Sequence, residues 1–191
     1  MTGVVILLIV LLVAIVAVPL MIVYSGYNRI MALDARCDTA LADIDVQLKH
    51  RHSLIPGLVE TVRGFAKHET AAIENVAQAR AAALGAASPQ MRLEAEQQLG
   101  QSINAMLSIA ESYPDLKASG HFRDLSGQLT DIENRVSAAR RFYNLAVEEY
   151  NTAIRQFPGS RIASYRRLST RRPYELGVER LIMDEPVAIQ F

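Results

Sequence analysis

A chain of 191 residues is long enough for one domain with a real core and does not call for two. Its 20 lysines and arginines are balanced by 20 aspartates and glutamates, which excludes the global positive field that recruits nucleic acid and leaves electrostatic recognition to local patches. The single Cys37 excludes an intramolecular disulfide and a cage of thiolates around a metal, and it reads as a small apolar helix residue.

From Val4 to Val23 the chain runs VVILLIVLLVAIVAVPLMIV without a charge. At about 1.5 Å per residue this helix covers the roughly 30 Å of a bilayer's hydrocarbon core. The run exceeds the about 7–15 apolar residues of a signal peptide and has no Lys or Arg before it, so it reads as a retained transmembrane anchor. Arg29, Arg36, Lys49 and Arg51 follow it, which predicts an N-terminus outside and the remainder in the cytoplasm. Tyr24 and Tyr27 suit the interfacial belt.

Residues 27–52 carry Ile30, Leu33, Cys37, Leu41, Ile44 and Leu48 at helical spacing. Ser53 then offers a capping hydroxyl, and Pro56 fits the third position of a new helix, where its missing N–H costs nothing. In a continuous helix the same proline costs about 3 kcal/mol. The pattern therefore predicts a break at Ser53 and Pro56, with Lys49-His50-Arg51-His52 as a solvated cationic last turn. A second helix follows to about Leu84. Gly85 ends it, and Ser88-Pro89 starts a third. That one reaches Tyr113-Pro114, and a fourth runs from about Ser119 to Phe157, with Leu125, Leu129, Ile132, Val136, Ala139, Tyr143, Val147, Tyr150, Ile154 and Phe157 on one side. Connections this short predict antiparallel packing. Four legs return the tail to the bilayer, whereas three would leave it far away.

Two constellations stand out. Tyr143-Asn144 and Tyr150-Asn151 repeat at seven residues, and Tyr27-Asn28 repeats the pair on the first helix. Buried Tyr and Asn need partners, so the six predict a polar layer that fixes helix register. After Phe157 come Arg161, Arg166, Arg167, Arg171 and Arg172, candidates for contact with anionic headgroups or an acidic partner. His68-Glu69 begins an HExxH pattern that fails at Ala72, and His50 and His52 diverge on a helix. No phosphate loop or nucleophile elbow is present. These residues predict no catalytic site, no metal and no cofactor.

The stretches "YNRI", "IDVQLKHRHSLIPGLVETVRGFAKHE", "AMLSIAESYPDLKAS" and "FRDLSGQLTDIENRVSAARRFYNLAVEEYNTAIRQFP" resemble, in order and spacing, the LemA family of bacterial membrane proteins. The resemblance covers Tyr27 to about Ser164. It implies an anchor with its N-terminus outside, a cytoplasmic helical bundle and no established enzyme activity. One relative acts in forming the magnetosome membrane, and members are sometimes encoded near a membrane metalloprotease. The tail departs from the pattern: Arg167-Leu168 stands where relatives often show Gly-Phe.

The expectation is an all-α protein: transmembrane anchor (1–26), antiparallel up-and-down four-helix bundle (27–158), and a tail that is basic, then apolar (159–191). It is a non-enzymatic scaffold or adaptor at the bacterial inner membrane. Its partners are membrane lipid and a protein, either a second copy or a membrane protease, with no nucleic acid. The alternatives are a regulator of a membrane metalloprotease and, further down, a hydrolase or metal enzyme with an unrecognised site.

Overall fold

The computed structural model describes residues 2–174; the apolar end of the predicted tail lies outside them. The described chain is helical, with no strand among its residues: α1 (Thr2–Phe65), α2 (Thr70–Gly85), α3 (Pro89–Ser108), a 3₁₀ turn (Ile109–Glu111), α4 (Pro114–Ala118), α5 (Gly120–Arg155) and α6 (Gly159–Arg166). The contacts form two units, one of Ile44–Ser137 and one of Met1–Asp43 with the chain from Ala138 onward. This division cuts across α1 and α5.

The helix break predicted at Ser53 and Pro56 does not occur, because α1 continues through both. The Ser53 hydroxyl donates backwards to the His50 carbonyl at 2.7 Å and caps no new helix. Pro56 is exposed, and its ring leaves the His52 carbonyl without its helical donor. Ile55, Leu58 and Val62 are fully buried just beyond it. At about 1.5–3 kcal/mol each, their burial outweighs the proline's cost.

The chain instead leaves the helix at residues 66–69, where the Glu69 N–H turns back to the Ala66 carbonyl at 3.1 Å. The Tyr113 hydroxyl fixes the turn by donating to Glu69 Oε1 at 3.1 Å. The start of α3 is as the sequence predicts: the Ser88 hydroxyl accepts from the Met91 N–H at 3.2 Å.

In the unit Ile44–Ser137 one core cluster draws on five helices: Ile55, Leu58 and Val62 from α1, Ile73 and Val76 from α2, Leu99, Ile103 and Met106 from α3, Leu116 from α4, and Phe122 and Leu129 from α5. Set into the same packing is a charged group. Arg51 occupies the apolar stripe of α1 between Leu48 and Ile55, and it is buried with His52 and Glu96. These two are not the solvated helix end that the sequence suggests. Arg51 forms an ion pair with Glu96, donates to the Glu96 carbonyl at 3.0 Å and reaches Glu133 at 2.9 Å. His52 Nε2 lies 2.9 Å from the other Glu96 oxygen. Burial alone would raise the Glu96 carboxyl, but the hydrogen bonds from His52 and Arg51 and the Arg51 charge outweigh it and hold its pKa below the usual value.

Candidate membrane-proximal site

In the other unit, α1 supplies one helix long and apolar enough to cross a membrane. From Ile6 to Tyr24 its large apolar side chains are exposed. Past this run Ile30, Cys37 and Ala40 of α1 are buried, as are Val147, Tyr150 and Ile154 of α5. Leu41 is exposed; Ala40 takes its expected place. Burial raises the Cys37 thiol and leaves it unreactive.

Two glycines allow α6 to lie close to this part of α1. A Cβ on Gly26 would come within 3.2 Å of Pro158 and 3.3 Å of Ile162, and a Cβ on Gly159 would collide with the Ala153 carbonyl. Arg166 of α6 donates to the Tyr27 hydroxyl at 3.1 Å, with its guanidinium 5.5 Å from the ring centre. Phe157, expected on the buried side of α5, is 80 % exposed, and Tyr165 is 87 % exposed. Both belong to the surface beside the end of the apolar run.

α6 ends with Arg167 in the left-handed conformation, φ 54°. The Leu168 N–H reaches back to the Ala163 carbonyl at 2.9 Å, which completes a C-terminal cap that normally takes glycine. This is the position where Arg167 departs from the Gly-Phe pattern. The chain then runs without helix along α5 to Tyr174.

Here the Tyr-Asn repeat finds its partners. Asn151 donates to the Arg171 carbonyl and accepts from the Arg171 N–H, both at 2.9 Å. Asn144 does the same for Tyr174, at 3.2 and 2.7 Å. The Tyr150 and Tyr143 hydroxyls donate to the carbonyls of Ser169 and Arg172 at 3.3 and 3.2 Å, and burial raises both phenols so that they remain protonated donors. The register follows from arithmetic. Seven residues of helix rise about 10 Å, and so do three residues of extended chain at about 3.3 Å each. Pro173, between the two clamped residues, holds Arg172 extended and has no N–H to satisfy.

The six residues therefore do not make one layer between helices. Four of them hold an extended strap, Tyr27 holds Arg166, and Asn28 is exposed with no side-chain hydrogen bond among the described residues. The five arginines separate as well. Arg171 is half-buried, bonded to Asp34 at 2.8 Å and Asp38 at 2.6 Å. The bond to Asp38, opposed by burial and joined by Asp34, raises its already high pKa. It belongs to the strap's fastening and is not a free contact. Arg161, Arg166, Arg167 and Arg172 remain exposed. Among the described residues no three of His, Cys, Asp and Glu are grouped to hold a metal.

Among the described residues these features define a helical protein with one apolar segment able to enter a membrane and with α6 beside the end of that segment. Residues 40–191 match the LemA family, and the chain belongs to that family. It is also similar to the magnetosome protein MamQ of Magnetospirillum gryphiswaldense, 27 % identical over 71 residues, and to magnetosome protein MamQ 2 of Paramagnetospirillum magneticum, 25 % identical over 71 residues. Each alignment covers 37 % of this chain and 26 % of the relative, so the chain matches about a quarter of those proteins' length.

Proposed function

We propose that this protein is a non-enzymatic, single-pass protein of the bacterial inner membrane whose helical body is a scaffold or adaptor held at the cytoplasmic surface. The observation that carries the reading is the contact between Arg166 and Tyr27. It sets the exposed arginines and Tyr165 of α6 at the level where the apolar run gives way to Tyr24 and Tyr27, the position of headgroups at the end of a span. Arg161, Arg166 and Arg167 then meet the negative leaflet, at about 1 kcal/mol each.

The positive charges after the span favour an N-terminus outside. In this reading α1, α2, α3 and α5 are the four antiparallel legs of the bundle, with the first turn at residues 66–69. That count is even and returns the chain to the membrane. The magnetosome names of the relatives support work at a membrane.

The test is photo-crosslinking in intact cells from the exposed Phe142 and Leu145 of α5, followed by identification of the neighbours. Adducts with a second copy or with a defined membrane protein support the scaffold. Recovery of a membrane metalloprotease would select the protease-adaptor form of the same role. Uncrosslinked protein at both positions would contradict it.

A further inference from the structure

Beside the end of the apolar run, α1 and α6 line an open groove of about 800 Å³, within the about 300–1,000 Å³ usual for small-molecule sites. Leu20 and Val23 line it from α1, and Ile162 and Tyr165 from α6. Its charged groups are the guanidiniums of Arg161 and Arg166. Arg171, by contrast, is paired with two aspartates. Among the described residues neither Arg161 nor Arg166 meets a carboxylate, and Arg166 is oriented only by the hydroxyl and ring of Tyr27.

We propose that this groove is a binding site for one anionic phospholipid, with an acyl chain along the apolar walls and the phosphate between Arg161 and Arg166. Three observations select this occupant. Leu20 and Val23 belong to the apolar segment itself, so the groove is continuous with the acyl region of the bilayer. A peptide entering there would carry unsatisfied backbone groups into hydrocarbon, whereas a lipid would not. Two guanidiniums that meet no carboxylate among the described residues, next to the tyrosine belt, match the charge and the depth of a lipid phosphate. Gly26 sets how near α6 comes to the anchor, since any side chain there would press on Pro158 and Ile162.

The proposal rests on the reading that residues 4–23 span the bilayer, and the experiment separates the two. The full chain would be reconstituted in nanodiscs containing trace spin-labelled phosphatidylglycerol or phosphatidylcholine, and the motionally restricted fraction of each label would be measured. The wild type should restrict phosphatidylglycerol several-fold more than phosphatidylcholine. R161Q/R166Q, at two exposed positions, should bring the two lipids level. V23W, which fills the groove from its exposed anchor side, should lower the restricted fraction of phosphatidylglycerol. Soluble glycerol phosphate at millimolar concentration should leave the restricted lipid in place.

Equal restriction of both lipids by the wild type, selectivity unchanged in R161Q/R166Q, or release by glycerol phosphate would overturn the lipid site. If the protein nevertheless resisted alkaline extraction from cell membranes, the anchored reading would stand without it. Release by alkali would overturn both.

Discussion

Asn151 grips Arg171 by its backbone, giving one hydrogen bond to the carbonyl and taking one from the N–H, each 2.9 Å long. A side-chain amide carries a donor and an acceptor on neighbouring atoms, so it acts as a neighbouring β-strand would. Replacing Asn151 with Ala should cost about 1–2 kcal/mol, two modest hydrogen bonds, and should free the Arg171 amide to exchange with solvent. Asn151→Asp keeps the acceptor and loses the donor, so it should fall between the two. Hydrogen exchange of the Arg171 amide in detergent-solubilised protein reads this directly. Unchanged protection in Asn151→Ala would mean that the clamp does not hold the strap.

The buried Arg51–Glu96 pair predicts a dependence on pH. The Glu96 pKa is lower in the folded chain than its ordinary 4.5, so folding favours the ionised form. The resulting stability is complete above about pH 4.5 and drains away as pH falls through the lower folded value. Glu96→Gln should cost about 3 kcal/mol near neutrality, because Arg51 loses its buried counter-charge. It should also flatten the acid limb of the stability curve. Denaturant unfolding of both proteins between pH 7 and pH 3 checks the sign. An acid limb of equal slope in the two would contradict the assignment.

Pro56→Ala should raise stability by about 1–3 kcal/mol, since it restores an N–H for the His52 carbonyl within a helix that already runs through. A neutral or destabilising result would show that the helix ends before Pro56. The midpoint of urea unfolding is sufficient for the comparison.

Arg167→Gly should stabilise by about 0.5–1 kcal/mol. The position has φ 54°, which costs an L side chain about 1 kcal/mol or more, and glycine's greater freedom when unfolded returns part of that. A loss of stability instead would mean that the Arg167 side chain makes an interaction worth more than its strain.

How far these features could be read from sequence depends on whether they leave a periodic trace. The anchor, the start of α3 at Ser88 and the buried side of α5 do so, through spacing and capping chemistry. Arg51 leaves one as well: it falls in phase with Leu48, Ile55 and Leu58, and Glu96 falls in phase with Leu93 and Leu99. A charge on an apolar stripe facing an opposite charge on another signals a buried pair, but the run Lys49-His50-Arg51-His52 looks like a helix end and masks it. Ser53 and Pro56 suggest a break because a hydroxyl before a proline fits a cap equally well. Only packing by Ile55 and Leu58 decides for continuity. The strap has no such trace. Residues 168–174 have no repeat of their own, and the Tyr-Asn heptad marks that something is held without telling that it is extended backbone instead of another helix.

The central claim is that α6 lies at the membrane surface beside the anchor. The chain contains no tryptophan, so Tyr165→Trp gives a single fluorescent reporter at the most exposed aromatic of α6. The full-length variant would be placed in vesicles whose phosphatidylglycerol is brominated at successive depths along the acyl chain. The account predicts emission shifted to the blue, with quenching strongest for bromine nearest the headgroup and fading towards the bilayer centre. Emission characteristic of water, with no quenching at any depth while the anchor remains inserted, would contradict it.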